Sequence, residues 1–244
     1  MRVLPTFLGA HTVPAELRGD REAYVRQVVE EQLPAVQGLA AFADVYVDRG
    51  AFTVEEGRRI LTAARQAGLQ LRVHAEQVEY TGVAAMAAEL GALSADHLER
   101  LDDAGVQAMA RAGTVANLLP GAMLYLRDPP PPVAALRAAG VPMAVSTDLN
   151  PGTSPVTDLW AAATLACLTM GLTVEEAVVG ITRNGARALG LHDVGIIRPG
   201  ARADLALFHP APGEPATVDP MVQYLVGRRA SVVVRGGRVV RRPG

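Results

Sequence analysis

Short apolar runs alternate with longer segments of helical period along most of this chain, and this order constrains the fold more than any other feature. Each run rich in strand-forming residues is followed by a segment whose apolar positions recur every three or four residues. That order is typical of βαβ units, in which helices join parallel strands. The predicted strands span residues 3–9, 43–47, 69–74, 92–97, 114–119 and 142–147. We therefore predict an α/β fold of about six βα units.

Capping signals mark the ends of the predicted helices. Thr53 with Glu56, and Thr173 with Glu176, have the spacing of capping boxes, and Asp20 precedes an amphipathic segment at 21–36. Glycines stand where helices should end, at Gly68, Gly113, Gly140, Gly171 and Gly190.

The pattern changes after Gly190. Alternating apolar runs at 203–208 and 230–240 predict strands, and the Gly236–Gly237 pair within the second run is typical of a hairpin turn. We predict that residues 1–190 form one domain and that residues 191–244 form part of a small antiparallel β domain.

Composition excludes several classes of partner and chemistry. The net charge of −2 gives no basic surface for nucleic acid or anionic lipid, and the apolar run at 159–170 is too short to span a bilayer. Cys167 is the single cysteine, so a reducing cytoplasm is the expected compartment. The sequence contains no lysine, which excludes Schiff-base chemistry and a P-loop.

Four polar residues follow or end predicted strands. His11, His74, His97 and Asp148 lie at the ends of the first, third, fourth and sixth strands. Because functional side chains gather at the carboxyl ends of parallel strands, we expect these four to converge. Imidazole nitrogens and a carboxylate are the usual ligands of zinc or iron, so the pattern predicts a divalent metal site.

Other polar residues have plainer interpretations. His192 and His209 are interpreted as surface or packing residues, and Asp102 and Asp103 as part of a solvated loop and helix N-cap. Asp96 and Glu99, in the same acidic cluster, are left out of the predicted site. The segment 147–153 has the composition of a tight turn whose backbone amides approach a ligand.

Eight motifs carry a resemblance to one family over nearly the whole chain. They are FLGAH at 7–11, RGAFT at 49–53, VHAEQ at 73–77, SADHLE at 94–99, LLPGA at 118–122, STDLNPGT at 146–153, TRNGARALGL at 182–191 and PGARADLAL at 199–207. The chain resembles the C-terminal part of the imidazolonepropionase family, within the amidohydrolase superfamily.

The resemblance implies a (β/α)8 TIM-like barrel beside a small β-sandwich, with one metal ion at the barrel mouth. It implies that His74 and Asp148 are metal ligands. It also implies that His97 and Asp148 are catalytic and relay a proton to the ring nitrogen that leaves. It also implies substrate-contacting positions at His11, Gln77, Asn150, Gly152 and Thr153.

The implied reaction is hydrolysis of the ring amide of 4-imidazolone-5-propanoate to N-formimidoyl-L-glutamate, a step of histidine degradation. The implied cofactor is one divalent metal, zinc or iron. The implied partner is a small-molecule substrate, and a homodimer is the family's expectation.

The chain also departs from the family pattern. A His-x-His pair that completes the family's metal site occurs nowhere in the 244 residues, and Val47 and Asp48 differ from the family's usual residues. Six strands do not close an eight-stranded barrel, so we expect an incomplete barrel. We further expect that this chain alone holds metal weakly and is inactive. Three explanations of the missing part stay open: a gene start placed too far downstream, a fragment of a longer protein, or a remnant gene.

Two alternatives stay open. One is another mononuclear amidohydrolase of the cyclic deaminase type, and the other is a non-catalytic remnant that pairs with a partner. Gln77 and the NPGT turn at 150–153 favour an imidazolonepropionase-like hydrolase over both alternatives.

Overall fold

The computed structural model describes residues 2–223, 225 and 229–241. Six strands alternate with helices, as predicted, and are neighbours in chain order in one sheet. They are β1 (Thr6–Ala10), β2 (Phe42–Val47), β3 (Gln70–Ala75), β4 (Ser94–His97), β5 (Val115–Leu118) and β6 (Met143–Val145). The largest shift from prediction is in β1, which begins at Thr6 and not at residue 3.

The helices follow the strands. They are α1 (Arg21–Gln27), α2 (Leu33–Ala35), α3 (Val54–Gln66), α4 (Val83–Glu89), α5 (Asp103–Ala112), α6 (Pro120–Leu126), α7 (Val133–Ala138), α8 (Leu159–Met170), α9 (Val174–Val179) and α10 (Gly185–Ala188). The predicted helix at 21–36 is present, but its middle, Val28–Gln32, is π-helical. No helix in the described part of the chain is long and apolar enough to cross a bilayer.

The predicted helix ends are confirmed by hydrogen bonds. The Asp20 side chain accepts from the Ala23 N–H at 3.0 Å, and both capping boxes are closed. Gly113 and Gly171 end α5 and α8 in the left-handed conformation, which glycine adopts without steric cost.

The chain divides into two compact units. The first comprises Met1–Ala116 with Ala134–Pro142, and the second comprises Asn117–Val133 with Met143–Gly244. The boundary predicted at residue 190 stays a prediction.

In the first unit, β1 to β4 pair in parallel. β2 is buried along almost its whole length, as expected of a parallel strand covered on both faces. α3 packs on this sheet through Ile60 and Leu61, both fully buried. The register places Tyr46 opposite His74 and His74 opposite Asp96. Because side chains alternate along a strand, these three point to the same face of the sheet.

The second unit ends in a three-stranded antiparallel sheet. Its strands are β7 (Leu205–Leu207), β8 (Val232–Arg235) and β9 (Arg238–Arg241), in the order β7-β8-β9. The predicted hairpin turn at Gly236–Gly237 is confirmed, with positive φ at both residues. A second π-helical segment, Gly180–Asn184, lies between α9 and α10.

Candidate metal centre

Three histidines converge at the strand ends of the first unit. The His74 ring, on β3, has its centroid 4.6 Å from that of His11 and 5.2 Å from that of His97. His11 follows β1 directly, and His97 is the last residue of β4. The sequence therefore correctly placed these three imidazoles together.

A carboxylate that the sequence analysis missed lies beside them. Oδ1 of Asp44, within β2, is 2.9 Å from Nδ1 of His74 and 3.6 Å from Nε2 of His11. Asp44 is only 3% exposed. Its signal in the sequence is one acidic residue inside an otherwise apolar strand.

The two histidines hold Asp44 in its ionised form. Burial raises the pKa of this carboxyl, but its interactions with His74 and His11 outweigh burial, so the pKa lies below its usual range. The group is therefore a carboxylate at neutral pH and can only accept hydrogen bonds.

His97 is held neutral. Burial, together with the nearby His74, lowers the pKa of this imidazole to about 3. Its Nδ1 lies 4.0 Å from Oε2 of the buried Glu99 and makes no hydrogen bond within the described residues. A neutral imidazole has one unprotonated nitrogen, which can accept a proton or bind a metal.

The donor atoms fit a divalent transition metal. Ligand atoms of His11, Asp44 and His74 all lie within 4.8 Å of one another. Two imidazoles and one carboxylate are the ligand types of catalytic zinc and non-haem iron sites.

The backbone at these strand ends adopts unusual conformations. Glu76, His97 and Leu98 have φ values of 49°, 79° and 75°. Non-glycine residues with positive φ are uncommon, and they concentrate at functional sites.

The loop after β3 carries Gln77. The buried Asp48 carboxylate, just past β2, accepts the N–H groups of Gln77, Val78 and Glu79 at 2.8–3.1 Å. Glu76 turns inward and accepts the Val83 N–H at the start of α4, at 2.8 Å. Gln77, three residues beyond His74, is therefore fixed by its backbone.

The remaining predicted site residues lie together in the second unit. Asn150 Nδ2 donates to the Asp148 carbonyl at 2.7 Å, while Asn150 Oδ1 accepts the N–H groups of Gly152 and Thr153 at 2.9 and 2.7 Å. Asp148 has a φ of 49°. The predicted tight turn at 147–153 is confirmed as a loop organised by Asn150.

The plainer interpretations are also resolved. His192 and His209 are exposed, and Asp102 caps α5 by accepting the Gly105 N–H. Asp96 and Glu99, by contrast, are buried next to the candidate site.

Sequence comparisons place these residues in a known family. A model of the amidohydrolase family matches residues 13–241. The chain is 48% identical over 242 residues to an imidazolonepropionase of Polaromonas sp. (strain JS666 / ATCC BAA-500), covering 97% of this chain and 56% of that protein. An imidazolonepropionase of Geobacillus kaustophilus is 44% identical over 241 residues, covering 98% and 56%. The chain thus spans about 56% of the length of these curated relatives.

Solved structures share the fold. An adenosine deaminase from Xanthomonas campestris with bound zinc superposes with a TM-score of 0.75 at 19% identity, covering 99% of this chain and 61% of that one. An amidohydrolase from a Sargasso Sea sample gives 0.72 at 21% identity, covering 96% and 59%. These likenesses confirm the predicted α/β, TIM-like architecture. Because the family model matches residues 13–241, this chain belongs to the amidohydrolase family.

Proposed function

We propose that this chain carries the catalytic strand ends of a metal-dependent hydrolase that converts 4-imidazolone-5-propanoate and water to N-formimidoyl-L-glutamate. The observation that carries the proposal is the convergence of His11, His74 and His97 above the buried Asp44. The 44–48% identity to two imidazolonepropionases supports the substrate. Residues 1–190 are proposed as barrel and 191–244 as part of the β-sandwich.

The proposed cofactor is one divalent metal, zinc or iron. His74 and Asp148 are its proposed ligands within this chain, in line with the nitrogen and oxygen donors that such ions prefer. A divalent ion supplies a Lewis acid, which polarises a carbonyl and lowers the pKa of water from about 15.7 toward about 7.

His97 and Asp148 are the proposed proton carriers. His97 is neutral and 97% buried, so its free nitrogen can take a proton from the attacking water without first losing one. His97 and Asp148 then relay this same proton to the ring nitrogen that leaves when the amide C–N bond breaks, so His97 returns to its neutral form.

Five of the predicted residues are proposed to orient the substrate. His11 and Gln77 hold the ring, and the loop of Asn150, Gly152 and Thr153 presents polar groups to the substrate. Asp48 and Asn150 fix the backbones of these two loops through the hydrogen bonds described above. The proposed partner is this small molecule, with a homodimer as the assembly and the cytoplasm as the compartment.

The proposal is tested with a chimera in which this chain replaces the matched segment of the Polaromonas imidazolonepropionase. We expect the purified chimera, loaded with zinc or iron, to consume 4-imidazolone-5-propanoate. The same chimera with His97→Asn is the matched control and should retain metal but lose most activity. The 244-residue chain, assayed in parallel, is expected to be inactive.

A folded, metal-loaded chimera that leaves 4-imidazolone-5-propanoate unchanged would contradict the proposed substrate. Release of ammonia from a cyclic amidine by that chimera would then identify a deaminase. A chimera that folds but retains no metal through dialysis would contradict the proposed site.

A further inference from the structure

Asp44 occupies a deeper level of the sheet than the histidines. In the parallel register it lies opposite Arg72, whereas His74 lies opposite Tyr46. Two residues along a strand correspond to roughly 6.6 Å, so the Asp44 carboxylate approaches His74 from inside the sheet and not from the strand ends. Asp44 is therefore placed to support the ring from below.

The contact between Asp44 and His74 selects one ring nitrogen. Nδ1 of His74 lies 2.9 Å from Oδ1 of Asp44, an ordinary hydrogen-bond length. A carboxylate only accepts hydrogen bonds, so Nδ1 carries the hydrogen. In a neutral ring with this hydrogen the lone pair is on Nε2, which is then the nitrogen that would bind a metal.

The same oxygen also faces His11. Nε2 of His11 lies 3.6 Å from Oδ1 of Asp44, and the His11 and His74 rings meet edge to face at 73°. This nitrogen is buried and makes no hydrogen bond within the described residues. Asp44 is thus the nearby anion for both imidazoles.

We propose that Asp44 is the positioning residue that fixes His74 as the Nδ1–H tautomer and orients His11 through the same carboxylate oxygen. The inference rests on the proposed function, because His74 and His11 are the proposed ligand and ring contact. Although its oxygen lies within 4.8 Å of ligand atoms of His11 and His74, Asp44 in this role supports the two rings and does not bind the ion itself. One buried carboxylate then couples metal affinity to substrate affinity.

The tautomer is measured directly in the unmodified 244-residue chain without metal. Long-range ¹H–¹⁵N correlation of ¹⁵N-histidine-labelled protein should show His74 protonated at Nδ1, with assignment by His74→Gln. An Nε2–H signal for His74 would overturn the proposal. This readout needs no activity, so it is independent of whether the substrate has been identified correctly.

Metal affinity supplies the second measurement. Titration with Co²⁺ should show binding weakened about 10- to 100-fold in Asp44→Ala, the usual effect of losing a carboxylate behind a ligating histidine. Asp44→Asn should weaken binding less, because its amide oxygen still accepts from Nδ1. Asp102→Asn is the matched control. Asp102 is a carboxylate of the same unit that caps α5 by accepting the Gly105 N–H at 2.8 Å, and asparagine also caps helices, so this variant should bind Co²⁺ as the unmodified chain does.

Two results would overturn the proposal. One is equal Co²⁺ affinity in Asp44→Ala and the unmodified chain. The other is a crystal structure of the Co²⁺-loaded chain with an Asp44 oxygen at bonding distance, about 2.0–2.2 Å, from the ion, because Asp44 would then bind the ion itself. Folding of each variant is checked by the dispersion of its amide NMR signals, and the tautomer measurement stands if Asp44→Ala does not fold.

Discussion

The Asp48 carboxylate, just past β2, accepts the backbone N–H of Gln77, just past β3, at 3.1 Å. The same carboxylate also accepts from Val78 and Glu79. Two neighbouring strand ends are therefore joined by one buried side chain, and the position of Gln77 depends on it.

Replacing Asp48 should loosen Gln77. Asp48→Ala leaves the N–H groups of Arg49, Gln77, Val78 and Glu79 without this acceptor. Of these four residues only Gln77 is buried, and a buried unsatisfied group costs about 1–3 kcal/mol. We expect a loss of about 2 kcal/mol in the free energy of unfolding, and in the chimera a KM raised about tenfold with a smaller change in kcat. Urea denaturation and steady-state kinetics measure these effects. Asp48→Asn keeps an amide oxygen that can accept, so its unfolding free energy and KM should lie between those of Asp48→Ala and the unmodified protein. An unchanged KM in Asp48→Ala would contradict the role of Asp48 in positioning Gln77.

His97 should act on kcat. General acid–base catalysis contributes about 10²- to 10⁴-fold, so His97→Asn in the chimera should lower kcat within that range while KM and metal content change little. His209→Asn is the control, because His209 is exposed and outside the proposed site. Metal loss in His97→Asn would instead make His97 a ligand.

The buried His97 should also make stability depend on pH. Its pKa in the folded chain is about 3, against about 6.5 when unfolded. The unfolded chain therefore binds the proton first as pH falls. The stabilising effect of the neutral ring is complete above pH ~6.5 and is lost as pH falls toward 3.

This dependence is measured by urea denaturation of the metal-free chain. Between pH 7 and pH 5 the unmodified chain should lose about 2 kcal/mol more unfolding free energy than His97→Gln. Equal losses in the two proteins would show that His97 is protonated in the folded state.

The position of the Asn150 loop, within the second unit, should depend on the absence of a side chain at Gly121. A Cβ at this position would meet Ser154 Oγ and would lie 2.8 Å from Val156 Cγ2. Ser154 is fully buried. Its hydroxyl donates to the Thr147 carbonyl at 2.6 Å, and its backbone carbonyl accepts the Asn150 N–H at 3.2 Å. Gly121→Ala should therefore displace the loop.

The expected cost of Gly121→Ala is about 1–3 kcal/mol of unfolding free energy, typical of overpacking, with a raised KM in the chimera. Gly19→Ala is the matched control, since nothing lies within 4 Å of the added methyl group. Thermal unfolding and steady-state kinetics of the two variants measure this difference. Equal unfolding free energies and equal KM values in Gly121→Ala and Gly19→Ala would contradict the prediction.

Periodicity and capping signals were enough to predict the six strands, both capping boxes and the three strand-end histidines. These features depend on residues close together in the chain. Asp44 was missed because its role depends on the register between β2 and β3, which no local pattern specifies. Glu99 was left out because a charged residue after a strand usually lies in solvent, whereas here it is buried next to His97. The π-helical segment Val28–Gln32 also had no signal in the apolar spacing.

The left-handed backbone at His97 and Leu98 has a consequence for distant mutations. A left-handed conformation costs a non-glycine residue about 1–2 kcal/mol, and Leu98 is held there with its side chain fully buried. Its N–H also bonds to the Ala75 carbonyl at 3.0 Å. The packing of Leu98 therefore stabilises the turn that orients the His97 imidazole. Core substitutions that loosen the packing of Leu98, without touching the site, would let the turn relax and reorient the His97 imidazole, the proposed proton carrier, so variation deep in the hydrophobic interior becomes a means of tuning the proposed reaction.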